Sequence, residues 1–313
     1  IKVGVVGKMN FLSPSQSVQP GQIFTGKDQT TWQITGGFEC DIEEGLKYQS
    51  LNELLLYNDA VIINDLFHTG FSELKHIIRH CRHVYVHQYL PLSNEELLQL
   101  QNLADEAQVV VQMGFQHRFS DFFQSVSQKE IVPRLIETHH FVRYKRRSTQ
   151  LSIISDILLE DLDTILCKVN SDIRHINATG VGVIYNDPDI VNIRIEFQNA
   201  CIANISASKI AIKDLHKTRF YQNNSYFTLD YISNSIKAFN SNDDAFWENT
   251  DESDNLSEQI ESFKPQDYYE LSKSELDSFF NAVVSKTKSK ASLNDHLAIK
   301  FAAEKIFLEL LNS

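Results

Sequence analysis

Short apolar runs alternate with segments of helical spacing over the first third of the chain. Buried strands are predicted at residues 2–7, 59–64, 83–87 and 109–115. Leucine and isoleucine at helical spacing predict helices at residues 50–56, 71–82 and 93–107. This alternation is typical of a doubly wound parallel sheet, which binds ligands at the carboxyl ends of its strands. We expect such an α/β domain over residues 1–119.

The pattern changes after residue 119. Apolar and polar residues alternate in predicted strands at residues 134–144, 173–185, 189–197, 201–208, 216–222 and 225–231. Amphipathic helices are predicted at residues 154–169, 274–284 and 295–311. Successive strands with short links indicate a mostly antiparallel, open sheet. We expect a second α/β domain over residues 120–313, and an exposed sheet face with alternating apolar residues predicts a homodimer or homotetramer through that sheet.

The net charge of −12 is concentrated in one stretch. Residues 243–261 contain eight acids and no Lys or Arg, which predicts a solvated acidic loop. An acidic chain repels phosphate backbones, so we expect no nucleic-acid partner. No uncharged apolar run approaches the ~20 residues that span a bilayer. Without a charged, apolar leader, a cytoplasmic location is expected.

A glycine turn follows the first predicted strand, where a dinucleotide fold holds its pyrophosphate. The fingerprint G-x-G-x-x-G lets the backbone approach phosphate and lets the helix pack on the strand. Here Met9 and Leu12 stand at the second and third glycine positions. The turn is therefore either a cofactor site or an ordinary core strand end. The candidate cofactor residues are Gly7, Lys8, Met9, Asn10 and Phe11, with Glu39 as the ribose acid and Asn64 on the next strand end.

Several segments, in order, resemble one family. Residues 84–93, VYVHQYLPLS, resemble the V-x-V-E-K-P-L-A-L-T segment of the Gfo/Idh/MocA oxidoreductases. Residues 153–163, IISDILLEDLD, are similar to V-V-L-D-L-M-I-H-D-I-D of a branch that oxidises UDP-N-acetylglucosamine at the sugar 3-position. Residues 195–208, IEFQNACIANISAS, resemble that branch's L-E-F-E-N-G-C-V-A-N-L-T-A-S. The likeness covers nearly the whole chain, apart from residues 8–45 and the acidic loop.

The resemblance implies a Rossmann-like first domain with NAD or NADP, and hydride transfer from a sugar hydroxyl carbon to the nicotinamide. The family's catalytic Lys falls on Gln88 and its catalytic His on Glu160, while its two aspartates are kept as Asp156 and Asp163. Proton transfer needs a group that titrates near neutral pH, which Gln88 does not. His87 or Glu160 could take that role, or His87 could simply end a strand and Glu160 decorate a helix.

A basic segment marks the candidate substrate side. Arg143, Lys145 and Arg147 share one face of the strand that ends there. The resemblance implies that this strand end leads into the active site, where Arg and Lys could hold a diphosphate and Thr149 a sugar. Alternatively, the segment is a solvated strand end.

Two functions follow. The first is an NAD(P)-dependent oxidoreductase acting on a small-molecule sugar or sugar nucleotide. The second is a catalytically degenerate relative that binds a sugar nucleotide or serves as the partner subunit of an active enzyme. His76, His80 and His83 have helical spacing but no carboxylate or Cys partner, so no metal site is predicted.

Overall fold

The computed structural model describes residues 1–12, 17–40, 47–64, 70–87, 91–144, 152–184, 186–223, 225–241 and 256–311. The chain folds as two units. The first contains Ile1–Ser120 and Gln266–Leu297, and the second contains Asp121–Pro265 and Ala298–Ser313. The predicted division at residue 119 assigned everything beyond it to one domain, whereas residues 266–297 return to the first unit.

A six-stranded sheet forms the first unit. Its strands are β1 (Lys2–Val6), β2 (Ile23–Thr25), β3 (Thr31–Phe38), β4 (Ala60–Ile63), β5 (His83–Val86) and β6 (Val111–Met113). They lie in the order β2-β3-β1-β4-β5-β6, and all are parallel except the edge strand β2. The five parallel strands thus follow the doubly wound order 2-1-3-4-5, whose switch point lies beside β1.

The helices of the first unit are α1 (Leu51–Tyr57), α2 (Phe71–Arg79), α3 (Asn94–Ala107) and α6 (Tyr268–Ser285), with a short 3-10 helix at Gln116–Phe119. Ser93 and Glu96 form the predicted capping box of α3. Helix α6 belongs here because its apolar face completes the core. The Phe280 ring stacks on Trp32 at 4.7 Å, and Trp32 Nε1 donates to Asp277 at 3.3 Å.

An eight-stranded sheet forms the second unit. Its strands are β7 (Leu135–Arg143), β8 (Ile173–Val181), β9 (Ile190–Phe197), β10 (Ile202–Ala211), β11 (Leu215–Gln222), β12 (Ser225–Asp230), β13 (Ser235–Ser241) and β14 (Leu256–Ser262). They lie in the order β14-β13-β12-β11-β7-β10-β9-β8, and only β7 and β10 pair in parallel. The mostly antiparallel sheet confirms the predicted fold class.

The remaining helices are α4 (Asp121–Gln128), a π-helical turn at Ile154–Leu158 that continues into α5 (Leu159–Lys168), and α7 (Leu293–Leu311), which contributes to both units. Helix α5 lies on the buried face of the sheet, to which Asp161 hydrogen-bonds. None of the helices in the described ranges is long and apolar enough to cross a membrane.

Two expectations for the second unit are corrected. The acidic loop was predicted to reach residue 261, but residues 256–262 pair with β13 as the edge strand β14. Residues 243–255 lie outside the described residues. The open face of the sheet was expected to be apolar, but the positions that alternate with the buried ones are largely polar, among them Asn192, Arg194, Asn204 and Ser206.

Candidate functional site

The switch point of the parallel sheet lies at the ends of β1 and β4. Gly7 follows β1 with a φ of 91°, a conformation that favours glycine and turns the chain away from the sheet. Asn64 follows β4, and its side-chain amide donates to the Lys8 carbonyl at 2.8 Å. The structure therefore brings three of the predicted cofactor residues together where doubly wound sheets bind their ligands.

The loop after Gly7 presents backbone rather than side chains. Met9, Phe11 and Leu12 are all buried in the core of the first unit. Within the described part of the chain, the backbone N–H groups of Lys8 and Met9 form no hydrogen bond. Two successive amides of this kind suit an anion such as a phosphate. Residues 8–12 and 17–30, the described parts of the connection from β1 to β3, contain no helix.

Glu39 follows β3, the parallel neighbour of β1. Its side chain is exposed and its backbone lies in the left-handed region with a φ of 56°. The exposed carboxylate is thus available at the same edge of the sheet as Gly7, which is where a ribose-binding acid belongs.

His87 ends β5 at this edge. Its backbone approaches β6 so closely that a Cβ on Gly114 would lie 2.3 Å from the His87 carbonyl oxygen. The His87 ring contacts two phenols: Nδ1 lies 3.3 Å from the Tyr85 hydroxyl, and Nε2 lies 2.7 Å from the Tyr268 hydroxyl. Burial lowers the pKa of His87 to about 4, so its imidazole is neutral at pH 7 and one of its two nitrogens carries a lone pair. Gln88 lies outside the described residues.

A buried carboxyl continues this line of contacts. Glu275 of α6 is fully buried. Its Oε2 accepts the Tyr85 hydroxyl at 2.8 Å, and its Oε1 accepts the Phe115 backbone N–H at 2.6 Å. Burial raises the pKa of Glu275 to about 7, although both hydrogen bonds oppose the shift. The carboxyl is therefore poised to exchange a proton near neutral pH.

In the second unit, the π-helical turn carries Asp156, and α5 begins just before Glu160. Both carboxylates are exposed. Single π turns are rare and occur often at functional sites, because the extra residue changes the direction in which the side chains point. The two predicted residues therefore lie on one distorted helical segment and are open to a ligand.

Asp161, the next residue, is buried and joins two strands of the sheet. It accepts hydrogen bonds from His140 Nδ1 at 2.9 Å and from His216 Nε2 at 2.7 Å. His140 and His216 are direct neighbours on β7 and β11, and their rings stack at 3.6 Å. Burial would raise the pKa of Asp161, but the two imidazole hydrogen bonds outweigh it, so the pKa is lowered.

These three side chains are of the types that bind metal ions, and their ligand atoms lie within 4.8 Å of one another. A zinc ion would require both imidazole lone pairs to converge on one point. The rings are instead nearly parallel, 11° apart, and each nitrogen points at a different oxygen of Asp161. The arrangement favours a hydrogen-bonded cluster rather than a metal centre.

Other predicted residues do not join these groups. Asp163 was assigned to substrate, but it is fully buried, so α5 does not present it to a ligand. Arg143 is exposed at the end of β7, where its backbone N–H donates to Asp214. Lys145, Arg147 and Thr149 lie outside the described residues.

Sequence reasoning missed Glu275 and the two histidines, although each carried a signal. Glu275 lies four residues before Phe279 and therefore shares the apolar face of α6. His140 and His216 occupy the alternating positions of β7 and β11 that face the covered side of the sheet. An ionisable residue on an otherwise apolar face is the pattern that would have found all three.

The chain is similar to known proteins in sequence and in fold. No protein-family profile matches it. It is 22% identical over 240 residues to the UDP-N-acetylglucosamine 3-dehydrogenase of Acidithiobacillus ferrooxidans, an alignment that covers 76% of this chain and 75% of that protein. The solved structure of that dehydrogenase superposes with a TM-score of 0.78 at 18% identity, covering 99% of this chain and 97% of the other.

A second solved structure extends the likeness. An oxidoreductase from Agrobacterium radiobacter, determined with NAD+, L-tartaric acid and magnesium, superposes with a TM-score of 0.76 at 14% identity. The match covers 99% of this chain and 96% of the other. Both structures therefore have the fold described above.

Proposed function

We propose, from the likeness of this chain to the UDP-N-acetylglucosamine 3-dehydrogenase, that it is an NAD(P)-dependent oxidoreductase of the Gfo/Idh/MocA type that acts on a sugar or sugar nucleotide. A proton acceptor at the carboxyl edge of the parallel sheet carries the proposal. His87 stands beside the position of the family's catalytic Lys, is neutral at pH 7, and contacts Tyr268, whose side chain is partly exposed. Alcohol oxidation needs such an acceptor as the hydride leaves.

The cofactor is proposed to bind at the switch point. The amides of Lys8 and Met9 would donate hydrogen bonds to the pyrophosphate, and Glu39 would accept one from a ribose hydroxyl. A free carboxylate at this position suits NAD, because the 2′-phosphate of NADP would be repelled by Glu39. The nicotinamide supplies the hydride acceptor, and this chain's own residues hold the nucleotide and remove the hydroxyl proton.

Calorimetry with NAD+ and NADP+ tests the cofactor, and absorbance at 340 nm with NAD+ and UDP-N-acetylglucosamine tests turnover. Gly7→Ala should weaken NAD+ binding at least tenfold, because its φ of 91° disfavours alanine. Gly21→Ala is the matched control, since Gly21 has a φ of 87° and open space around it. Equal loss in both variants, or no NAD+ binding by the wild type at millimolar concentration, would contradict the proposal.

A second function is favoured by the same loop. Met9, Phe11 and Leu12 are packed into the core, the described part of the following connection has no helix to offer its N-terminus to phosphate, and the family's Lys and His positions hold Gln88 and Glu160. These features suit a relative that binds a sugar nucleotide without turnover. It predicts calorimetric binding of UDP-N-acetylglucosamine by a protein that binds neither nicotinamide cofactor.

We also propose that the chain assembles as a homodimer or homotetramer through the open face of the eight-stranded sheet. A stripe of stacked rings, Tyr221, Tyr226 and Phe239, crosses that largely polar face. Aromatic residues are enriched at protein interfaces. Light scattering after size exclusion should give the mass of two or four chains for the wild type and a smaller mass for Tyr226→Asp.

A further inference from the structure

Four side chains of the first unit form one continuous line of hydrogen bonds. The line starts at Tyr268, which is 36% exposed, and passes through His87 and Tyr85 to the fully buried Glu275. We propose that Tyr268, His87 and Tyr85 conduct the proton of the oxidised hydroxyl to Glu275, which holds it during turnover. This inference rests on the proposed dehydrogenase function, and it makes Glu275 a positioning and proton-holding residue rather than a group that touches substrate.

The donors and acceptors fix the direction of the line. Tyr85 donates its only proton to ionised Glu275, so the Tyr85 oxygen must accept from His87 Nδ1–H. The neutral ring then has an acceptor at Nε2, which receives the Tyr268 hydroxyl. Every donor and acceptor that links the four side chains is then hydrogen-bonded. The oxygen of Tyr268, at the exposed end of the line, takes the incoming proton.

The proton balance follows from that arrangement. A bound nicotinamide would accept the hydride of the hydroxyl carbon, and the O–H proton would go to the Tyr268 oxygen. Tyr268 passes its own proton to His87 Nε2, His87 passes the Nδ1 proton to Tyr85, and Tyr85 passes its proton to Glu275 Oε2. The substrate becomes a carbonyl, Glu275 becomes a neutral acid, and His87 remains neutral while its proton moves from Nδ1 to Nε2.

The pKa values of His87 and Glu275 agree with the roles of conducting and holding the proton. Burial lowers the pKa of His87 to about 4, so the ring passes a proton on but does not keep it at neutral pH. Burial raises the pKa of Glu275 to about 7, so its carboxylate can keep one. The titratable groups that face Glu275 are Tyr85 on β5 and His117 on the 3-10 helix, and Tyr268 acts on Tyr85 from the start of α6.

The tautomer of His87 provides a test that needs no substrate. Nitrogen-15 NMR of histidine-labelled protein distinguishes a protonated Nδ1 from a protonated Nε2. In the wild type, the His87 signals should change from the Nδ1–H form above pH 7 to the Nε2–H form below it. A His87 that keeps one tautomer between pH 5.5 and 8.5 would overturn the relay, whether or not NAD+ binds.

Two variants sharpen this measurement. In Glu275→Gln, the amide oxygen must face the Phe115 N–H, so the NH2 group donates to Tyr85 and should lock His87 in the Nε2–H form at every pH. Tyr85→Phe should abolish the change by cutting the line. Tyr48→Phe is the matched control, because Tyr48 is also buried in the first unit but bonds to Thr35 and Asn58. A change of tautomer that persists in Glu275→Gln contradicts the proposal.

Turnover separates the relay from the proposed function. With UDP-N-acetylglucosamine and NAD+, the wild-type rate should rise about tenfold per pH unit below pH 7, and Glu275→Gln should lose that dependence with a rate lower by about 100-fold. NAD+ affinity should stay unchanged. An unaltered pH profile in Glu275→Gln overturns the relay alone, whereas absence of NAD+ binding in the wild type overturns the proposed function and with it the part of Glu275 in the reaction.

Discussion

Glu275 in the first unit and Asp161 in the second are both buried carboxyls, yet their acidities shift in opposite directions. Glu275 receives one phenol and one backbone amide, and burial raises its pKa to about 7. Asp161 receives two imidazoles, whose hydrogen bonds lower its pKa in spite of complete burial. Burial therefore does not by itself decide whether a carboxyl is charged, because the partners decide it.

The comparison also separates two roles. Two imidazole N–H groups donate to Asp161 and hold it in its ionised form, which makes the cluster on the sheet a fixed hydrogen-bonded tie between helix α5 and strands β7 and β11. Tyr85 and the Phe115 amide carry no charge, which leaves Glu275 free to change its protonation at neutral pH. A buried carboxyl that titrates near pH 7 and one that stays ionised are thus distinguished by the chemistry of their neighbours.

The largest expected effect is the loss of the hydrogen-bonded tie at Asp161. Asp161→Asn should lower the free energy of unfolding by about 3 kcal/mol, because two histidines lose their shared charged acceptor in a buried place. The pKa of Asp161 is depressed below 3.8, so this stabilisation is present above pH 4 and is lost as the pH falls through the depressed value. Urea unfolding at pH 7 and pH 3 measures both.

Asp156→Asn is the control for that measurement, since Asp156 is exposed and only five residues away. It should change the unfolding free energy by less than about 0.5 kcal/mol. If the two variants were equally stable, Asp161 would not be the tie that the hydrogen bonds indicate.

The next effect is a contribution to stability that depends on pH in the opposite direction. The pKa of Glu275 is raised from 4.5 to about 7, so its contribution to stability is complete below pH 4.5 and falls by about 3 kcal/mol as the pH rises to 7. Glu275→Gln removes the titration. The difference in unfolding free energy between variant and wild type should therefore move in favour of the variant by that amount between pH 4.5 and 8.

A constant offset from the altered hydrogen bonds leaves this slope unchanged, which is why the difference across pH is the quantity to measure. A difference that stays level from pH 4.5 to 8 would mean that Glu275 is ionised in the folded protein throughout, and the contrast with Asp161 would disappear.

The smallest effect gives the baseline for an exposed carboxylate. Glu261 on β14 pairs with Lys129 at 2.5 Å, but 40% of its side chain is exposed. Lys129→Met should lower the unfolding free energy by less than about 1 kcal/mol, and less still in 1 M salt. A loss as large as that of Asp161→Asn would show that partner chemistry matters less than simple ion pairing.

The sequence predicted the fold class better than the long-range pairing of its elements. The apolar runs that became β1, β4 and β5 are buried on both faces, so they stand out without any knowledge of their neighbours. Strand β14 was missed because its pairing with β13 is long-range and its acidic composition is typical of a loop. The return of residues 266–297 to the first unit was missed for the same reason, since no local pattern encodes a distant partner.

The residues of the candidate site likewise fall into those that the sequence predicted and those that it did not. Gly7 and His87 were predicted as site residues because they end apolar strands, where the fold class already predicts ligands. Glu275 was not found, because its importance depends on Tyr85 and Phe115, which are 190 and 160 residues away along the chain. Asp163 was assigned by resemblance alone, and its burial follows from the rotation of α5, which a motif does not encode.

The composition of the first unit has a consequence for biosynthesis. Its core and its buried acid need α6, but the ribosome makes residues 121–265 of the second unit before it reaches that helix. At typical rates of synthesis, residues 1–120 wait roughly 10 to 35 s for residues 266–297. During that interval the Trp32 face of the sheet lacks the aromatic cover it later receives from Phe280. The nascent first unit therefore exposes apolar surface that the finished chain covers, and such surface binds chaperones or aggregates.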